Sequence, residues 1–193
     1  MPDATSTPDR GPSSSGTSTP NAATALGGGA RERAAAWFET AYMAQVTTRE
    51  LAEDAVEAAH TPALRTTLEQ VLADARRHEQ AAISLLAAVG REPARTRELG
   101  GVLTAKGREA INYLYALSDA VAGTWRVVHQ LYLTASNSRQ AFVVAQRLAQ
   151  EVGEAEAAAR LALVIDEKNA QVLTLLHTIA DAAPRAMLER EPI

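Results

Sequence analysis

Apolar side chains recur every three or four residues along most of the chain after residue 30. This spacing is typical of α-helices that bury one face, and no segment shows the period of two that marks a half-buried strand. The pattern breaks at Thr61-Pro62, at a polar connection ending in Gly100-Gly101, and at Gly153. It predicts four long helices, at about 31–59, 62–89, 118–152 and 154–182, and a shorter one at about 102–117.

The predicted helix ends carry suitable capping residues. Thr61 is a candidate N-cap, and Pro62 suits the first helical position because a proline there loses no helical hydrogen bond. Gly90 is a candidate C-cap of the second helix, and Pro184 ends the fourth. Four long helices, each with one apolar stripe, predict an all-α four-helix bundle. The long connection with its own helix is similar to the crossover of ferritin-like bundles.

The stripes of the second and fourth helices illustrate the pattern. The stripe of the second helix steps alternately by four and three residues, as the seam of a bundle does, and it includes a histidine. It consists of Leu64, Leu68, Val71, Ala75, His78, Ala82, Leu85 and Val89. The stripe of the fourth helix consists of Ala158, Leu161, Ile165, Val172, Leu175 and Ile179.

The chain divides into three parts. In residues 1–29, Gly, Pro, Ser and Thr fill 19 of the 29 positions. Such a segment cannot bury enough apolar surface to offset the entropy of ordering it, so a disordered tail is expected there. The bundle is expected over 30–184, with a C-terminal extension over 185–193.

Composition excludes several classes of function. The chain has no cysteine, hence no disulfide, no thiolate metal site and no cysteine nucleophile. Its net charge of −4 argues against a nucleic-acid footprint. No segment has the length of a membrane-spanning helix or the pattern of a signal peptide, so we expect a cytoplasmic protein without a membrane partner.

Ordered local motifs resemble one family. They are Ala41-Tyr42-Met43-Ala44-Gln45, Thr61-Pro62, Leu68-Glu69-Gln70, His78, Val89-Gly90-Arg91-Glu92-Pro93, the segment 102–111, Gly153-Glu154-Ala155-Glu156-Ala157-Ala158 and Ile165-Asp166-Glu167-Lys168. The chain resembles, over about 38–180, the YciF-like branch of the ferritin-like superfamily, bacterial stress-associated proteins. The resemblance implies a ferritin-like bundle, a homodimer, a role in stress response and a candidate di-metal centre with carboxylates from all four long helices.

The ligands that the resemblance implies are mostly replaced. The first-helix glutamate of the motif falls on Gln45, and the second helix offers only Asp74 and His78. The middle of the third helix offers no carboxylate, because no acidic residue occurs between Asp119 and Glu151. On the fourth helix Asp166 and Glu167 remain. Asp74, His78 and Glu167 are therefore the candidate metal ligands, for iron or manganese, of a degenerate centre.

A buried His78 without metal needs a polar partner. Gln45 is the candidate, because an amide and a neutral imidazole can satisfy each other. We expect the two side chains near one another at mid-depth, with no bound transition metal and no catalytic residue. The expected function is a non-enzymatic bundle that acts through self-association or an unidentified protein partner. A di-iron or di-manganese protein that handles oxygen or peroxide is the alternative, and an apolar ligand in the core is a third hypothesis.

The expected homodimer rests on the resemblance and on apolar residues outside the four stripes. Trp37, Met43 and Val46 are such residues on the first helix. Apolar side chains that do not face the bundle core are available to a partner, although single ones are normal on protein surfaces.

Overall fold

A computed structural model describes residues 28–93, 123–190 and 193 of the chain, and within these residues it consists of helices without strands. Helices α1 (Gly28–Ala58), α2 (Pro62–Ala88), α3 (Gly123–Glu151) and α4 (Ala155–Pro184) follow in chain order. Helix α1 packs against α2 and α3, and α4 packs against α3 and, with far fewer contacts, against α2. The predicted all-α four-helix bundle is confirmed.

The outer parts of the predicted organisation are described only in part. Residues 1–27 of the expected tail and the expected crossover helix at 102–117 lie outside the described residues. Helix α1 begins at Gly28, so the last two residues of the expected tail belong to the bundle. In the expected extension 185–193, Arg185–Glu189 forms a π-helical turn, and the carbonyl of the buried Ile193 accepts a hydrogen bond of 3.0 Å from the backbone N–H of His60.

Local sequence explains where the helices begin and end. The Thr61 hydroxyl accepts a hydrogen bond from the backbone N–H of Leu64, and Pro62 takes the first helical position, as predicted. Gly90 follows α2 with φ +71°, and the N–H of Arg91 reaches back to the carbonyl of Leu86 at 2.9 Å. This hydrogen bond and the left-handed glycine form a Schellman motif, which satisfies the last carbonyls of the helix.

The bundle core consists of two apolar clusters that lie one beyond the other along the bundle. The first includes Phe38, Tyr42, Val46, Leu86, Phe142 and Leu161, and the second includes Ala52, Leu68, Val71, Leu131, Ala135 and Leu175. Val46 belongs to this core and Met43 packs against it, so neither is a free surface residue of the kind that the dimer expectation used. Trp37 remains 40% exposed.

The outer surfaces of the two halves of the bundle differ in character. Between α1 and α2, Arg49 bonds Glu79 at 2.6 Å and Glu53 at 2.8 Å, and Arg76 bonds Glu53 at 3.0 Å. Exposed large apolar residues instead concentrate on α3 and α4. They are Leu133, Val143 and Val144 of α3 and Leu163, Leu173 and Leu176 of α4, which together we call the α3–α4 surface. Among the described residues, no helix combines the length and apolar character needed to cross a membrane.

Candidate functional site

A layer of buried polar side chains separates the two apolar clusters at mid-depth. Each long helix contributes to it at a position of its apolar seam, seven residues from a buried apolar side chain in either direction. The four series are Phe38, Gln45 and Ala52 in α1; Val71, His78 and Leu85 in α2; Leu131, Ser138 and Ala145 in α3; and Leu161, Lys168 and Leu175 in α4. Thr48 and Gln171 complete the layer. We call these six polar residues the polar layer.

Lys168 lies at the centre of the polar layer, with no exposed surface. Its ammonium donates to the Oε1 atom of Gln45 and, at 2.9 Å, to the hydroxyl of Ser138. The Nζ atom also lies 5.0 Å from the ring centroid of Phe142, a cation–π distance. The charge therefore rests on two neutral oxygens and a ring face, without a carboxylate in direct contact among the described residues.

Gln45 joins three helices through its amide group. Its Nε2 atom donates to the carbonyl oxygen of Ala75 in α2 at 2.8 Å. Its Oε1 atom accepts from Lys168 in α4 and, at 3.1 Å, from Ser138 in α3. A neutral amide can do both at once, whereas a glutamate at this position could not donate to the carbonyl.

His78 faces α4 with one nitrogen and the interior with the other. Its Nε2 atom lies 3.0 Å from the carboxylate of Glu167, a residue whose side chain is 52% exposed. Arg77 binds the same carboxylate at 3.0 Å and Asp74 at 2.7 Å. The Nδ1 atom is buried and has no hydrogen-bond partner among the described residues.

Burial dominates the electrostatics of the polar layer. It lowers the pKa of Lys168 from 10.5 to about 7, because the charged form loses its hydration. Burial, together with the positive charge of Lys168, lowers the pKa of His78 from 6.5 to about 4, against the opposite effect of Glu167. Hydrogen bonds from Arg77 and then His78 lower the pKa of Glu167. At neutral pH His78 is therefore a neutral imidazole beside an ionised carboxylate.

The expected pairing of Gln45 with His78 is not formed. Both side chains are buried in the polar layer, but Gln45 bonds Ala75, Ser138 and Lys168, while His78 bonds Glu167. The physical reason is that Lys168 is a stronger donor to the amide oxygen of Gln45 than a neutral imidazole, since an ammonium N–H makes a charge-assisted hydrogen bond. Sequence reasoning did not single out Lys168, the central residue of the site.

The candidate ligands Asp74, His78 and Glu167 do not fit a di-metal centre. Arg77 binds both carboxylates and so already offsets part of their negative charge. Two divalent ions in the core would require further anionic oxygens. The inner positions of α1, α3 and α4 supply instead an amide, a hydroxyl and an ammonium. In the part of the chain that the structure describes, no three His, Cys, Asp or Glu side chains are grouped as a metal site.

Comparisons of the chain with protein-family models, with curated proteins and with solved structures give no match. The resemblance to the YciF-like branch therefore stays a prediction from the sequence motifs. The polar layer has to be interpreted from its own chemistry.

Proposed function

We propose that the chain is a non-enzymatic, ferritin-like helical bundle whose central cation is the ammonium of Lys168 in place of a metal centre, and that it acts by association with a second copy of itself. The observation that carries the proposal is the position of Lys168, which is fully buried between Gln45 and Ser138. In its protonated form Lys168 places a positive charge at this point, which opposes the entry of metal cations, because like charges at close range repel strongly in a medium of low dielectric constant.

The polar layer also lacks the features that a reaction centre needs. His78 and Lys168 are completely buried, and most of their polar atoms are used in bonds that join helices. Gln45 and Gln171 likewise donate to backbone carbonyls of α2, at 2.8 Å and 3.0 Å. The layer thus cross-links α1, α3 and α4 to one another and to α2, which supports a role in specifying the packing of the bundle.

Association is supported by the uneven surface of the molecule. The outer side of α1 and α2 carries the ion pairs of Arg49 and Arg76, whereas the α3–α4 surface presents large apolar side chains, among them Leu163 at 68% exposure. A concentration of apolar residues on one side of a bundle is typical of a protein–protein contact. A role in stress response follows from the family resemblance alone.

Metal content and molecular mass of the same sample test the proposal. We expect protein purified after growth with added iron and manganese to hold far less than one metal ion per chain, and light scattering to give the mass of a dimer. His78→Leu should leave both results unchanged. Near-stoichiometric iron or manganese that is lost in His78→Leu would instead establish the di-metal alternative, and a monomer mass at micromolar concentration would contradict association.

A further inference from the structure

Three polar groups of the polar layer still lack a hydrogen-bond partner among the described residues, one on α2 and two on α4. Among the described residues, the Nδ1 atom of His78 and the Oε1 atom of Gln171 have none, although the two residues are only 1% and 3% exposed. The third is a hydrogen of Lys168, because an ammonium carries three hydrogens and two are donated to Gln45 and Ser138.

The protonation of His78 determines what its free nitrogen requires. A neutral imidazole carries one hydrogen on one of its two nitrogens. The ionised carboxylate of Glu167 only accepts hydrogen bonds, which places that hydrogen on Nε2. The Nδ1 atom is consequently a bare acceptor, as is the amide oxygen of Gln171, so two acceptors and one donor remain.

Hydrogen bonds made by residues of α1 and α4 indicate that His78, Gln171 and Lys168 are close to one another. The Oε1 atom of Gln45 accepts a hydrogen bond from Lys168, and its Nε2 atom donates one to the carbonyl of Ala75. Ala75 lies one turn before His78 in α2. Glu167, the neighbour of Lys168 in α4, touches His78 directly. Gln171 follows Lys168 by three residues and so lies on the same face of α4. The effect of the Lys168 charge on the pKa of His78 agrees with this proximity.

We propose that one buried water molecule lies between α2 and α4, accepts a hydrogen bond from Lys168 and donates one to Nδ1 of His78 and one to Oε1 of Gln171. Three hydrogen bonds are the usual number for a buried water. Helices α2 and α4 pack together less extensively than α4 and α3 do, which suits an intervening water. The water completes a hydrogen-bonded chain from Lys168 through His78 to the half-exposed Glu167, and so connects the centre of the bundle to solvent.

This inference is independent of the proposed association, and a high-resolution crystal structure of the full chain tests it. We expect a water peak at about 2.7–3.2 Å from all three atoms. A Lys168 ammonium turned wholly toward Phe142, or a direct bond between Lys168 and His78 with no water peak, would overturn it.

Nuclear magnetic resonance gives a second test in solution. Lys168 is one of only two lysines in the sequence, the other being Lys106, so its ammonium signal is readily assigned. We expect a cross-peak between the Lys168 ammonium and a long-lived water, which Gln171→Leu weakens and the double variant His78→Phe/Gln171→Leu abolishes. The matched control is Thr48→Val, because Thr48 belongs to the same layer but bonds only the carbonyl of Ala44. Loss of the cross-peak in the control, or its survival in the double variant, would refute the proposed water.

Discussion

At the scale of single residues, Lys168 is the unusual feature of the protein. An isolated charge in an apolar core is costly, and proteins normally place a carboxylate beside it. Here Gln45 and Ser138 offer two oxygens and no charge. The interaction leaves the ammonium poorly stabilised, which is why its pKa falls to about 7. Because the pKa of Lys168 differs between the bundle and the unfolded chain, the free energy of unfolding depends on pH through this residue, which is not the case for an ordinary surface lysine.

Alkaline pH should stabilise the protein through Lys168. In the unfolded chain its pKa is 10.5 and in the bundle about 7, so between these values the unfolded state binds more protons. The free energy of unfolding should therefore rise with pH from 7 upward, by up to about 1.4 kcal/mol per pH unit. Urea denaturation between pH 7 and pH 9 measures this slope.

The control for the alkaline slope is Lys168→Met, which removes the titrating group and leaves Ser138 bonded to Gln45. This variant should show no rise, and it should be more stable than the unchanged protein at pH 7. An equal slope in both proteins would mean that Lys168 is hydrated or paired with an acid. Measurements stay below pH 10, where ionisation of Tyr42, whose pKa is raised in the bundle, begins to act in the opposite direction.

His78 should govern stability on the acid side. Its pKa is 6.5 when unfolded and about 4 in the bundle, so the unfolded chain takes up the proton first as pH falls. Its contribution is complete above about pH 6.5 and is lost toward pH 4, a loss of roughly 2–3 kcal/mol. We expect His78→Leu to retain the bundle by circular dichroism and to lose less stability than the unchanged protein between pH 6.5 and pH 4. Unfolding of this variant at pH 7 would contradict the expectation.

At the scale of the helices, the sequence predicts far more of the fold than of the site. The observed helices begin and end within a few residues of the predicted bounds where the structure describes them, because the period of the apolar side chains and the caps at Thr61 and Gly90 are local signals. The same period of apolar side chains also indicates that Lys168 occupies a position facing the core. The predicted stripe of α4 has no member between Ile165 and Val172, and Lys168 occupies the missing seam position, three residues after Ile165 and four before Val172.

The spacing of residues alone could not predict that Lys168 is buried or which residues it contacts. A lysine at a seam position is nearly always on the surface, and only the three-dimensional arrangement shows that Gln45 and Ser138, far away in sequence, provide its acceptors. The assignment of Gln45 to the bundle centre came from the family resemblance. Its actual partners depend on which helices are neighbours, which no local pattern records.

Gly90 and Gly123, two glycines at helix ends, allow a matched test of the local signals that end and begin helices. Gly90 has φ +71° with open space around its Cα, so Gly90→Ala introduces backbone strain without a steric clash and should cost about 1–2 kcal/mol. Gly123 begins α3 with equally open space and no positive φ, so Gly123→Ala should be neutral or stabilise by about 0.5 kcal/mol. Thermal unfolding of both variants checks the difference. Equal effects would show that the left-handed turn after α2 does not constrain the fold.

At the scale of the whole molecule, the two sides of the bundle are suited to different surroundings. Ion pairs cover the outer side of α1 and α2, where Arg49 joins Glu79 across the two helices. On α3 and α4, Arg147 pairs with Glu151 and Arg160 pairs with Glu156 within a single helix, and the α3–α4 surface also exposes leucines and valines. The core beneath is fixed by the polar layer, so association through the α3–α4 surface can occur without rearrangement of the bundle. Surface residues, rather than core residues, should therefore control the oligomeric state.

The double variant Leu163→Glu/Leu173→Glu tests the α3–α4 surface as the contact of the proposed dimer. The two leucines are 68% and 54% exposed, so their replacement leaves the core unchanged, while two charges on each copy repel across a symmetric contact. Light scattering should give a dimer for the unchanged protein and a monomer for the variant, with the same helix content by circular dichroism. Trp37→Glu is the control, because Trp37 is an exposed apolar residue of α1, outside the α3–α4 surface. If Trp37→Glu gives the monomer and the double variant remains a dimer, the contact lies on the side of α1 instead.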